Sequence, residues 1–368
     1  GFKVTAMKID PYVNVDAGTM NPIEHGEVFV TIDGDETDQN IGNYERFLDI
    51  DITRDNYMTT GRVYQTVIER ERNLGYNGKC VEVVPRVPEE VIRRIDHVAE
   101  QSQADFVLIE IGGTVGEYEN ILFLEALRMM RQRDADSVRS VIVSYLPVPP
   151  SIGEMKTKPT QHAVREANRA GISPDFLIAR SEDEMDEPRR EKLARFCAIP
   201  IKHIIGAPNV ESIYKIPQSF EDQNFGDSLL ESFGIDPKPA NLDDWNELSD
   251  KIGTLKDEVK IGVIGKYFSS GAFVLSDVYL SVLEAIKHAS WANDRKPVIE
   301  WLNSEDYEND PSKLKDLDNL DGILIPGGFG TRGIEGKIMA IKYARENKIP
   351  YFGICYGMQC AVIEYGRN

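Results

Sequence analysis

No stretch constrains this chain more than Gly353-Ile354-Cys355-Tyr356-Gly357. The two flanking glycines let the backbone turn sharply. An apolar approach (Pro350, Tyr351, Phe352) reads as a strand, and Met358 to Tyr365 has helical character. Strand, tight turn and helix in that order are the sequence form of a nucleophile elbow. Its tip side chain stands exposed, and the next backbone N–H is free to receive an oxyanion. Here the tip side chain is a thiol. Upstream, Ile323-Leu324-Ile325-Pro326-Gly327-Gly328-Phe329-Gly330 is a second apolar strand ending in a glycine turn. A lone Gly-x-Cys-x-Gly reads more simply as a structural cysteine in a turn. With a second such strand end beside it, at the carboxyl edge of a parallel sheet, the two read as a reaction centre.

Charge and hydropathy narrow the partners. With 42 Lys and Arg against 61 Asp and Glu, the formal charge is −19. That argues against non-specific nucleic-acid binding, which needs a positive face, but not against nucleotides, which need only a few fixed cations. No apolar run is long enough for a bilayer and no signal-peptide pattern occurs, so the sequence implies a cytoplasmic protein with no membrane partner. The 4 cysteines (Cys80, Cys197, Cys355, Cys360) have no metal-ligand spacing, which fits a reducing compartment. A glycine start and an end at Asn368 within a helical pattern imply a fragment of a longer protein.

Strands alternate with helices along the chain, the pattern of a doubly wound α/β sheet. Gly1 to Ala6 reads as a strand leading to Lys8 and Asp10, and His25 to Thr31 alternates like a strand before the acidic loop Asp33 to Asp38. Asp105-Phe106-Val107-Leu108-Ile109-Glu110 is a buried strand that delivers a carboxylate into Ile111-Gly112-Gly113, a reasonable place for a Mg²⁺ ligand or for a helix cap. Lys156 and Lys158 stand just ahead of a helix that Pro159 opens, where cations and free N–H groups suit a phosphate chain. By itself, such a pair is as readily two solvated lysines. Further strands are read at Val138 to Leu146, Phe176 to Arg180 and Ile201 to Ile205. The fold class is therefore α/β with two doubly wound domains: 1–236, a charged linker at 237–258, and 259–368.

The order of motifs then becomes specific. It runs Lys-Ile-Asp-Pro-Tyr-Val-Asn-Val-Asp from Lys8, His-Gly-Glu-Val-Phe-Val-Thr from His25, Tyr-Glu-Arg-Phe from Tyr44 and Thr-Thr-Gly-Arg-Val-Tyr from Thr59. Glu-Ile-Gly-Gly-Thr-Val-Gly follows from Glu110, Lys-Thr-Lys-Pro-Thr-Gln-His from Lys156, Ser-Ile-Tyr-Lys-Ile-Pro from Ser212 and Gly-Lys-Tyr from Gly265, ahead of the two glycine turns. Together these resemble the CTP synthase family along the whole chain: a dethiobiotin-synthetase-like amidoligase domain fused to a class I glutamine amidotransferase domain. The resemblance implies an enzyme, a ligase that phosphorylates O4 of UTP with ATP and Mg²⁺, then displaces that phosphate with ammonia from glutamine to give CTP. It also implies a homotetramer, GTP as activator, with Arg332 as a contact, and CTP as product inhibitor.

Residue by residue, the resemblance places Lys8 on the ATP phosphates and Glu110 on Mg²⁺. Lys156, Lys158 and Gln161 fall in the UTP/CTP site, Lys202 on a triphosphate, and Glu117, Tyr118 and Glu119 where the nucleotide is contacted across a subunit interface. Cys355 is the nucleophile, the N–H groups of Gly327 and Tyr356 the oxyanion hole, and Gly328, Phe329 and Gln359 hold glutamine.

Several positions depart from the family pattern. Asn40 stands where a second metal-binding aspartate is usual, Asn43 where histidine is usual and Tyr356 where leucine is usual, and 269–275 lengthens one loop. The family's opening strand with its glycine-rich, lysine-bearing phosphate loop does not occur. All 5 histidines (His25, His97, His162, His203, His288) precede Cys355, whereas the family's general base follows it. The chain as given is therefore expected to hydrolyse no glutamine at a useful rate. Two other readings remain open at this level: another glutamine-dependent amidoligase, or a regulatory or filament-forming subunit that binds nucleotides without the full reaction.

Overall fold

The computed structural model describes residues 1–265, 269–270, 273–274, 276–328 and 330–368, with only the backbone described at 23, 269, 270, 273, 274 and 276. Phe329 and the core of the 269–275 insertion lie outside the described residues. The chain forms two compact units, one of 1–16 and 50–249, the other of 17–49 and 250–368.

The first unit holds six parallel strands in two three-stranded sheets. One is ordered Tyr57–Thr59, Val4–Asp10, Phe106–Ile111; the other is ordered Val141–Leu146, Phe176–Ser181, Ile204–Pro208. β-Branched and aliphatic runs bounded by turns give strands covered by helices on the core side. Met7, Ile9, Val63, Val91 and Phe123 form one core, and Leu146, Val164, Leu177 and Leu193 another. Phe106–Ile111 and Val141–Leu146 each keep one edge without a partner strand among the described residues, and each carries an exposed apolar residue, Leu108 (51%) and Val143 (62%).

The second unit is built on a four-stranded parallel sheet ordered Lys296–Asn303, Glu258–Gly265, Gly322–Ile325, Tyr351–Gly353. Ile264, Ile323, Ile325, Ile338 and Cys360 close its core beneath the helices Ile334–Asn347 and Tyr356–Arg367. The mixed α/β class and the parallel sheets are as the alternation of patterns implies. Where the sequence reads a strand at Ile201 to Ile205, the chain makes a 3₁₀ turn at Ile201–His203 and the strand runs Ile204–Pro208, because Pro200 sets the turn first. The expected linker contains the helix Asp243–Thr254.

Residues 17–49 were expected inside the first domain, yet they group with the second unit. The tie is chemical: Glu27 accepts from the Ser281 N–H at 2.8 Å and its hydroxyl at 2.7 Å, and the Glu27 N–H donates to the Asp277 carbonyl at 2.9 Å. Burial pushes the Glu27 carboxyl up from its usual range, against the Ser281 hydrogen bonds and Arg46, which pull it down. A carboxyl whose folded pKa is raised contributes stability at low pH that is lost as pH rises through that value. Glu27→Gln removes the loss, so its stability advantage over the native chain should grow between pH 4 and pH 8 in differential scanning calorimetry. An advantage that does not change with pH would contradict this.

Candidate functional site

Cys355 stands at the join between the strand Tyr351–Gly353 and the helix Tyr356–Arg367 with φ 50° and ψ −101°. A β-carbon is rarely found in that region of backbone space, and its presence marks stored strain of about 1–3 kcal/mol. The glycines on either side are required by close approach. A methyl group on Gly357 would lie 2.2 Å from the Ile325 carbonyl oxygen, and one on Gly353 would lie 2.7 Å from the Met358 nitrogen. The turn is locked further by the Tyr351 hydroxyl, which donates to the Gly357 carbonyl at 2.6 Å; burial pushes that phenol well above its usual range.

Parallel register pairs Ile325 with Gly353, so Gly327 comes directly beside the thiol: a β-carbon there would lie 3.8 Å from that of Cys355. The Cys355 and Gln359 side chains are both exposed. A strained tip, an exposed sulfur and a glycine turn one strand away are together the arrangement in which a cysteine can serve as a nucleophile. Arg345 anchors the elbow helix by bonding the buried Glu364 carboxylate at 2.8 and 3.0 Å, and holds that carboxyl below the usual range. Arg332, on the following loop, pairs with Glu305 at 3.3 Å.

The second group of functional side chains lies in the first unit. Register places Lys8 opposite Glu110 on neighbouring strands, and the Lys8 ammonium meets Glu110 at 2.6 Å and Asp10 at 3.7 Å. Asp10 also accepts from the buried Tyr57 hydroxyl at 2.9 Å. Lys8 and Asp10 are buried, whereas the Glu110 carboxylate is 47% exposed, so the group has one open side. Sequence reasoning singled out Lys8 and Glu110 separately; their pairing is a product of register, which no local signal carries.

The turn after Glu110 reaches the lysine-bearing helix. Val115 packs against the core that contains Val164, with Met155 beside it, and Gly116 faces Glu166. Glu117 folds back to accept from the Thr114 N–H at 3.1 Å, while Tyr118 (93% exposed) and Glu119 project into solvent. Lys158 opens the helix Lys158–Arg169, with Pro159 in its first turn, and Lys156 pairs with Glu154 at 2.6 Å. Gln161 is buried, its amide donating to the Thr157 hydroxyl at 3.1 Å. Lys202 is held by Glu231 at 2.7 Å on the flank of the helix Phe225–Ser232. Asn40 opens the helix Asn40–Leu48 in the other unit, its N–H bonded to the Asp38 carboxylate at 2.8 Å. Two residues that the sequence left unremarked matter here: Tyr57, whose hydroxyl bonds Asp10, and Lys337, buried behind the elbow.

A cysteine at such an elbow, beside a glycine turn on a parallel sheet, belongs to the class of α/β proteins with a thiol at a strand-to-helix turn, and residues 274–368 match the family described as glutamine amidotransferase class-I. Residues 1–235 match the family described as CTP synthase N-terminus. The chain belongs to the CTP synthase family. It is 48% identical over 369 residues to the CTP synthase of Pyrococcus abyssi, covering 100% of this chain and 67% of that protein. The CTP synthase of Thermococcus gammatolerans is 47% identical, with 100% of this chain and 68% of that protein covered. A solved glutaminase domain of Trypanosoma brucei CTPS with bound acivicin is 44% identical over 30% of this chain and 41% of its own, with a TM-score of 0.28. Members of this family are ligases, as the resemblance implies, and this chain carries both a synthetase and a glutamine amidotransferase region. Among the described residues no helix is long and apolar enough to cross a membrane.

Proposed function

We propose that the reaction this chain serves is the amination of UTP to CTP, in which ATP activates O4 of the uracil ring and ammonia from glutamine displaces the phosphate. The chain's 48% identity to a protein called CTP synthase, over the whole of this chain and 67% of that protein, is the observation that carries the reading. On this reading the Cys355 thiolate attacks the carboxamide carbon of glutamine. The Gly327 and Tyr356 N–H groups take up the oxyanion, with Gly328, Phe329 and Gln359 around the amino acid; once a general acid protonates the nitrogen, ammonia leaves and the acyl group remains as a Cys355 thioester that water hydrolyses. Ammonia must stay unprotonated to act as a nucleophile, which favours passage inside the protein over release to water.

Lys8 offsets the charge that develops on the transferred phosphoryl group. Magnesium, when bound, supplies further neutralisation of the phosphates. The partly open Glu110 carboxylate is the hard oxygen donor it would take. Lys156, Lys158 and Gln161 receive the pyrimidine nucleotide, Lys202 a further phosphate, and Glu117, Tyr118 and Glu119 a nucleotide of an adjoining subunit in a homotetramer. GTP as activator near Arg332, CTP as inhibitor and a cytoplasmic location complete the reading.

Isothermal titration with UTP and with CTP tests the pyrimidine site. The native chain should bind both, and Lys156→Glu with Lys158→Glu should weaken both at least about tenfold, since charge-assisted phosphate contacts are replaced by repulsion. A native chain that binds neither nucleotide would sink the reading.

A further inference from the structure

Lys337 belongs to the helix Ile334–Asn347 and is 0% exposed. Lysine is almost never fully buried without groups that replace its hydration. Its place makes the burial more demanding, because it lies near the amino end of its helix, where the macrodipole opposes a cation. Among the groups it meets is the ring of Tyr356, whose centroid lies 5.1 Å from the ammonium, within cation–π range. Tyr356 directly follows Cys355, and its hydroxyl donates to the Gly330 carbonyl at 2.9 Å. One side chain thus joins the buried cation, the first residue of the elbow helix and the end of the Pro-Gly-Gly turn. Leucine, usual at this position by the resemblance above, can make neither contact.

We propose that Lys337 is a positioning residue for the thiol site. Its ammonium holds the Tyr356 ring, and the ring holds the backbone N–H after Cys355 and the turn carrying Gly327 in register to receive an oxyanion. Lys337 touches no substrate; it acts through Tyr356. The proposal rests on the reading of Cys355 as the nucleophile toward glutamine, and the experiment separates the two.

Two electrophiles are compared on the chain as it stands, with labelling at Cys355 read by peptide mapping. Iodoacetamide needs only an accessible thiolate: a carbon–sulfur bond forms and iodide leaves. The chloromethyl ketone built on the glutamine skeleton also forms a carbon–sulfur bond and loses chloride, but its carbonyl must lie in the oxyanion site. If the native chain shows no preference for the ketone at Cys355 over Cys80, the reading of Cys355 itself fails.

Given that preference, Lys337→Met should slow the ketone at least about tenfold and iodoacetamide by no more than about twofold, because only the oxyanion geometry is disturbed. Lys337→Arg, which keeps a cation over the ring, should recover most of the loss. Tyr356→Leu should resemble Lys337→Met, and the two together should cost no more than either alone, the mark of one coupled unit. Equal slowing of both reagents, failure of arginine to rescue, or additive effects would overturn the proposal. Should Lys337→Met not fold, Tyr356→Phe decides: it keeps the ring over the cation and loses the hydroxyl that bonds Gly330. Its ketone rate should fall between those of the native chain and Tyr356→Leu, and a rate equal to that of Tyr356→Leu would overturn the role of the cation.

Discussion

Cys355→Gly is expected to abolish labelling at position 355 by the glutamine-shaped ketone and at the same time to stabilise the second unit. The native residue is held at φ 50° and ψ −101°, which costs a non-glycine residue about 1–3 kcal/mol. Glycine relieves that strain and loses about 0.5–1 kcal/mol through its freer unfolded chain, so a net gain of about 1 kcal/mol is expected. Chemical denaturation would show it as a rise in midpoint at unchanged slope. A glycine variant less stable than the native chain would mean that position 355 stores no strain. The expected trade, reactivity lost and stability gained, is what a side chain held in place for chemistry rather than packing should show.

Lys8→Met should be damaging for the opposite reason. The Lys8 ammonium is the counter-charge to Asp10 and Glu110 at 3.7 and 2.6 Å, and a buried pair broken from one side leaves a charge without compensation. The usual cost of about 3–5 kcal/mol should be reduced to about 2–3 kcal/mol here, because Glu110 keeps half its carboxylate in water. ATP binding measured by calorimetry should be lost along with the stability. Adding Glu110→Gln should return part of the stability and none of the ATP affinity, since the repulsion is relieved but the cation is still missing. A Lys8→Met chain of native stability that binds ATP normally would remove Lys8 from the nucleotide site.

Much of the candidate site's local structure is legible in the sequence because its signals are local. Gly353 and Gly357 bracket Cys355 within five residues, the Pro-Gly-Gly turn ends an apolar run, and Pro159 marks a helix start just after Lys156. Local patterns failed where a partner from elsewhere decides the outcome. The strand Lys296–Asn303 passed without notice because Lys296, Glu300 and Asn303 break its apolar run; it forms by pairing along the whole of Glu258–Gly265. No local signal marks Lys337, which is buried with its ammonium 5.1 Å from the centroid of the Tyr356 ring. Lys202, marked for a phosphate, is occupied by Glu231, a carboxylate 29 positions away.

The sequence alone determined the α/β class, the elbow and the identity of its thiol, since backbone freedom at glycine and the period of apolar residues are properties of neighbouring residues. Only the tertiary structure decided that Lys8 faces Glu110, that Gly327 stands beside Cys355 and that residues 17–49 attach through Glu27 to Ser281. Those are consequences of strand register and of burial, which depend on groups distant in the chain meeting where water has been excluded.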